Sequence, residues 1–127
     1  MQVRWASLLL LLAVAGCTWL TGSQKYSVYF QPLSAQLDQQ GLETIHAAAK
    51  FARAHPFQPV EVDGVSAPTD PKRDAGRLAA QRAEAVRQVL VSEGIDEQRI
   101  KTTADGVVDL KNLPSVAVRR VDISVGN

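Results

Sequence analysis

Two arginines stand where the hydrophobic pattern leaves no place for a charge. Over residues 74–93 the apolar positions recur at helical spacing, with Ala79, Ala83 and Leu90 within about 60° of Val86 around the axis. Arg77, Gln81, Glu84 and Gln88 fall on the far side. Arg82 does not join them: it lies about 40° from Val86, inside the apolar arc and one turn after Leu78. A guanidinium there must be paired, must snorkel to water, or must meet a ligand. Arg119 poses the same problem on a strand. It shares parity with Val121, Ile123 and Val125, whereas Arg120 shares it with Asp122 and Ser124. Guanidinium is a planar donor matched to a carboxylate, so the two arginines are candidate anion receptors. The alternative is a pair of structural ion pairs with Asp63, Asp70 or Asp74.

Other chemistry finds little support. Ser66 follows a strand pattern, but no Gly-x-Ser-x-Gly elbow surrounds it. His46 falls in mid-helix and His55 precedes a helix-ending proline, so neither is placed beside Ser66. The single cysteine excludes an internal disulfide framework and any multi-cysteine zinc site. No metal-ligand spacing, phosphate-binding loop or paired-acid constellation occurs, so no catalytic residue, metal or cofactor is expected. Lys plus Arg number 14 against 13 Asp plus Glu. That leaves no basic excess to hold a phosphate backbone, and no nucleic-acid partner is expected.

The elements that must position the arginines are legible. The 127 residues, 46% apolar and 21% charged, suit one globular domain. Residues 26–30 alternate as a strand. Residues 38–54 carry helical periodicity, with Leu42, Ile45, Ala48, Ala49 and Ala52 on one arc and Gln39, Glu43 and Lys50 opposite. His55-Pro56 ends that helix. Residues 60–65 form a second strand, 66–72 a loop, and 74–93 the helix of Arg82, stopped by Gly94. A third strand spans 100–104, an irregular connection 105–115, and the last strand 118–125. The order β-α-β-α-β-β predicts an α+β fold with helices on one face of a small mixed sheet.

The N-terminus reads as a targeting segment. Arg4 precedes an apolar run over residues 5–15, too short for a bilayer span of about 20 residues but of signal-peptide length. It ends in Val14-Ala15-Gly16-Cys17, which resembles the lipobox of a bacterial lipoprotein signal. The resemblance implies diacylglyceryl transfer to Cys17, cleavage before it, and acylation of the new terminus by palmitate-type chains. Residues 1–16 are then a cleaved signal, 17–23 a lipidated cysteine with a short tether, and 24–127 the domain. Thr18, where Asp would favour inner-membrane retention, resembles outer-membrane sorting, with the domain facing the periplasm. From Thr18 to Gln24 the tether spans at most roughly 25 Å.

The domain itself resembles the OmpA-like, peptidoglycan-associated module of bacterial envelope proteins over residues 24–127. In that family's pattern a strand ends in Gly-His-Thr-Asp. A loop and an Asn follow, then Leu-Ser-x-x-Arg-Ala opening the second helix, and later Asn-Arg-Arg-Val. Gly64, Leu78, Arg82, Ala83 and Val86 hold their places here without insertion; Gly94-Ile95, Arg99-Ile100 and Arg119-Arg120-Val121 match further on. The resemblance implies that the family Asp and Arg grip the diaminopimelate of a peptidoglycan stem peptide, the Asp its ammonium and the Arg its carboxylate. Only half of that clamp is kept. The family Asp falls on Ala67, the Asn on Ala75, the Ser on Ala79 and the last Asn on Val118, while Arg82 and Leu78 carry over. Asp70 and Asp74 are the substitute acids within reach in sequence, and Arg119 is the second cation.

The expectation is therefore a non-catalytic, lipid-anchored envelope protein that binds peptidoglycan through Arg82, Leu78, Asp70, Asp74 and Arg119, with weakened affinity. The alternative is a structural adaptor that keeps the fold, has lost the clamp, and binds another envelope protein. An Arg82 saturated by internal carboxylates or sealed from solvent would favour the adaptor.

Overall fold

The computed structural model describes residues 22–66, 73–107 and 118–126. Four strands form one sheet in the order β1-β4-β2-β3. They are β1 (Gln24–Tyr29), β2 (Val60–Ser66), β3 (Ile100–Val107) and β4 (Arg119–Val125). Helix α1 (Gln39–Ala54) links β1 to β2, and α2 (Arg73–Ser92), followed by a 3₁₀ turn at Glu97–Arg99, links β2 to β3. Strand β4 runs antiparallel to both β1 and β2, and β2 is parallel to β3. The fold is the expected α+β arrangement.

This topology gives the domain two poles. At one, Gln24 and Val60 both pair with Val125, and Val60 also pairs with Ile100. At the other, Tyr29 pairs with Arg120 and Ser66 with Arg119. Because β1 and β2 run the same way, both helices start at the second pole, which also holds the strand end carrying Arg119. Helix macrodipoles therefore add partial positive charge there.

Local sequence explains each helix. The Asp38 side chain accepts from the Gly41 amide at 2.7 Å, capping α1. The buried face of α1 is Gly41, Ile45, Ala48, Ala49 and Ala52. Leu42, expected on that face, is 39% exposed. Gly41 takes the inward position because a Cβ there would sit 3.3 Å from Val28 Cγ1 and 3.5 Å from Leu37 Cδ2. Ala79 of α2 is fully buried, and Ala83, Val86 and Leu90 are buried against Val62, Val121, Ile123 and the rest of one continuous core.

Several element ends shift by a residue or two from the sequence pattern, and two features depart from it further. Strand β3 continues through Gly106 to Val107, where an irregular connection was expected. A register shift between Asp63 and Val65 restores pairing beyond it, Val65 with Gly106 and Ser66 with Val107. The 3₁₀ turn was also unforeseen; Asp96 accepts from the Gln98 amide at 2.9 Å and starts it.

Gly64 shows how tightly β2 and α2 meet. A Cβ there would overlap the Ala79 carbonyl oxygen and lie 2.9 Å from its carbon. Backbone, unlike a flexible side chain, cannot step aside. Gly64→Ala should lower unfolding free energy by about 2–3 kcal/mol in urea denaturation. A loss of only a few tenths would show that α2 does not press on β2 as described.

Candidate functional site

Arg82 projects from α2 into the pole where β1 ends. Its whole residue is 1% exposed, so it is the largest fully buried side chain among the described residues. The helical pattern put Arg82 inside the apolar arc, and its guanidinium is buried there. Its Nε donates to the Ser34 carbonyl at 2.8 Å and its Nη2 to the Gln31 carbonyl at 3.1 Å. Its Cζ lies 5.3 Å from the centre of the Phe30 ring, within cation–π range.

Those two carbonyls belong to the connection between β1 and α1, and sequence reasoning missed them. Ser34 N–H donates to Gln31 O at 3.2 Å, closing a turn. Pro32 suits its second position. Leu33 occupies the third with φ at 56°, the left-handed region that glycine or asparagine usually fills. Pro32 was the available signal; the leucine concealed the turn type. The price of that backbone is about 1 kcal/mol or more, and Arg82 holds both ends of the turn that carries it.

Among the described residues Arg82 makes no ion pair, and its Nη1 is buried without a hydrogen-bond partner. Arg119 repeats the pattern: it is half-buried, and its Nε is buried and unpartnered. Burial pushes the Arg82 pKa below its usual value, and repulsion from Arg119 pushes it further. Since the folded state disfavours the charged form, the cost persists at every pH below that depressed value. Neutral-range pH does not relieve it; an anion would.

The neighbouring cation is satisfied. Arg120 Nε donates to both oxygens of Asp122, at 3.2 and 3.1 Å. Asp122 also accepts from Ser27 Oγ at 2.7 Å and has Lys25 Nζ at 3.8 Å. The parity reading of Arg119 and Arg120 thus corresponds to two different electrostatic fates. Asp63, offered as an ion-pair partner, instead accepts from Thr103 Oγ1 at 2.9 Å. Asp70 and Cys17 lie outside the described residues. Asp74 falls in the first turn of α2, but its side chain lies outside what is described. Leu78 is half-buried one turn before Arg82. A groove of about 400 Å³ on α2, lined by Arg77, Ala80, Gln81, Glu84, Ala85 and Gln88, follows the face opposite Arg82. Among the described residues no group of three or more His, Cys, Asp or Glu could hold a metal ion.

Among the described residues the arrangement offers an anion two guanidinium groups within electrostatic reach of one another, spare N–H donors and no counter-charge. Arg82→Leu and Arg119→Leu should therefore have different effects on stability. The first strips two carbonyls of their donor and should cost about 2 kcal/mol. The second removes a like charge and an unpartnered N–H, and should be neutral or stabilising. Urea titration of both variants checks this; equal losses would show that Arg119 is held by bonds of its own.

The OmpA family model matches residues 29–123. The probable lipoprotein YiaD of Escherichia coli is 32% identical over 80 residues, which are 63% of this chain and 36% of that protein. The chain thus spans only about a third of that curated relative's length. Among solved structures, the OmpA-like domain of FopA1 from Francisella tularensis superposes with a TM-score of 0.71 at 24% identity, covering 81% of this chain and 71% of that one. The peptidoglycan-associated lipoprotein from Burkholderia pseudomallei gives 0.69 at 24%, covering 79% and 89%. The periplasmic domain of Helicobacter pylori MotB (residues 78–256) gives 0.66 at 19%, covering 83% and 75%. At these identities the structural likeness is one of fold.

Proposed function

The chain belongs to the OmpA family, and from that premise we propose that it is a non-catalytic, lipid-anchored envelope module that binds peptidoglycan. The observation that carries this reading is the pair of guanidinium groups, Arg82 and Arg119, with spare buried donors and no described carboxylate. A free carboxylate of the stem peptide, as in diaminopimelate, supplies the missing charge. It arrives from the Arg119 side, because Arg82 is covered. Leu78 packs beside it, and Asp70 or Asp74 receives the ammonium in place of the acid lost at Ala67. Losing one charged hydrogen bond costs about 1.5–3 kcal/mol, so affinity falls roughly tenfold to hundredfold below that of a complete clamp. Acyl chains on Cys17 hold the domain at the outer membrane, facing the periplasm.

A second reading rests on one observation, the 1% exposure of Arg82. A cation sealed by Gln31 and Ser34 is a fold anchor, and the domain is then an adaptor whose partner is another envelope protein. The two readings separate in a sedimentation assay with purified sacculi at low salt. On the first, the protein pellets with sacculi and Arg119→Leu releases it while the circular dichroism stays unchanged. Pelleting that survives Arg119→Leu, or none with the unaltered protein, would remove the carboxylate site and leave the adaptor.

A further inference from the structure

The pole opposite Arg82 carries an aromatic side chain wholly in solvent. Phe57 is 99% exposed, on the turn between α1 and β2. Its neighbours Pro56 and Pro59 are exposed too. A lone surface apolar residue needs no explanation, but this one is held out by an elaborate support. Gln58 N–H donates to His55 O at 3.1 Å, closing the turn around Pro56 and Phe57. Arg99, from the 3₁₀ turn, clamps it from behind. Its Nη2 donates to the carbonyls of Ala52 at 3.1 Å, His55 at 2.9 Å and Gln58 at 2.7 Å, and its Nε to Gln58 O at 3.1 Å. The His55 ring stacks on Phe51 at 4.1 Å. The turn is thus fixed to α1 and to β3, and Phe57 is its free tip.

The same pole is where the chain enters the domain. Gly126 N–H donates to Pro59 O at 2.9 Å. A Cβ on Gly126 would lie 2.7 Å from Gln58 Oε1 and 3.5 Å from Ser23 Cα. Ser23, the residue before β1, therefore sits beside the turn that presents Phe57. It stands six positions after Cys17 in sequence, a reach of at most roughly 20 Å. An acyl anchor at Cys17 would attach the domain to the bilayer at this pole, where the chain enters it. Leu33, also exposed at 77%, stands at the far pole with Arg82.

We propose that the Phe57 pole is a membrane-docking surface, with the Pro56-Phe57 tip inserted among the acyl chains and headgroups of the leaflet that anchors Cys17. This inference rests on the lipid anchor of the proposed function. Burying the Phe57 side chain in apolar surroundings favours the docked orientation by about tenfold or more. Rigid presentation lowers the ordering cost of that step. Docking also directs the Arg82 pole away from the bilayer.

The test uses the full chain expressed in bacteria, purified with its acyl groups, and reconstituted in vesicles of phosphatidylethanolamine and phosphatidylglycerol. Phe57→Cys and Leu33→Cys each receive an apolar nitrobenzoxadiazole dye, and a water-soluble quencher is added. The label at 57 should be shielded several-fold relative to the label at 33. Equal quenching at both positions on a Cys17-acylated protein would overturn docking while sparing the anchor. A mass spectrum showing unmodified Cys17 would overturn the anchor and docking together. Shielding that appears equally without vesicles would mean a second protein molecule covers the tip, and would also overturn the proposal.

Discussion

A buried guanidinium, with no carboxylate partner among the described residues, is the constraint around which the rest of this domain is arranged. Arg82 gives up water for two main-chain carbonyls and an aromatic ring. Carbonyl dipoles stabilise a cation without neutralising it, so the site stays electropositive. The forked donor matters as much as the charge. Nε and Nη2 reach two carbonyls three residues apart, which a lysine ammonium, as a single point, would not hold in the same geometry. By tying Gln31 and Ser34 to α2, Arg82 fixes how the chain leaves β1 and where α1 begins. The left-handed Leu33 is tolerated because the surrounding bonds leave its turn no alternative.

The sheet gives that constraint a direction. Strand β1 carries the chain from Gln24 at the entry pole to Tyr29 at the Arg82 pole, about 17 Å away at normal strand rise. Each pole is organised by one arginine that gathers carbonyls: Arg99 at the first, Arg82 at the second. They differ in their surroundings. Arg99 holds a turn with an exposed phenylalanine, whereas Arg82 stands near a second cation, Arg119, whose buried Nε has no hydrogen-bond partner.

Much of this was legible in the residues and some was not. Among the described residues, period-two and helical patterns found the four strands and two helices, since those patterns report burial directly. Arg82 declared itself by breaking a helical arc, and Arg119 by strand parity; both fall where the pattern put them. Depth was not legible, because the covering groups of Arg82 are backbone carbonyls some 48 and 51 residues away. Main-chain acceptors leave no trace in side-chain identity. Leu42 was misplaced by one position on α1 because a wheel scores glycine as neutral, whereas packing selects it for closeness. Strand β3 was cut short at Gly106 because a register shift in the neighbouring strand, invisible locally, restores its pairing.

The Arg82 and Arg119 guanidinium groups are the centre of the account, and their nitrogen resonances report on them directly. Arginine side-chain ¹⁵N spectra should be followed while a soluble muropeptide with free diaminopimelate carboxyls is titrated in, beside the same peptide amidated at those carboxyls. The account predicts that the Arg119 and Arg82 signals move with the free acid, that Arg120 stays with Asp122, and that the amidated peptide leaves all three in place. Static Arg82 and Arg119 signals in saturating free-acid peptide, or equal shifts with both peptides, would contradict it.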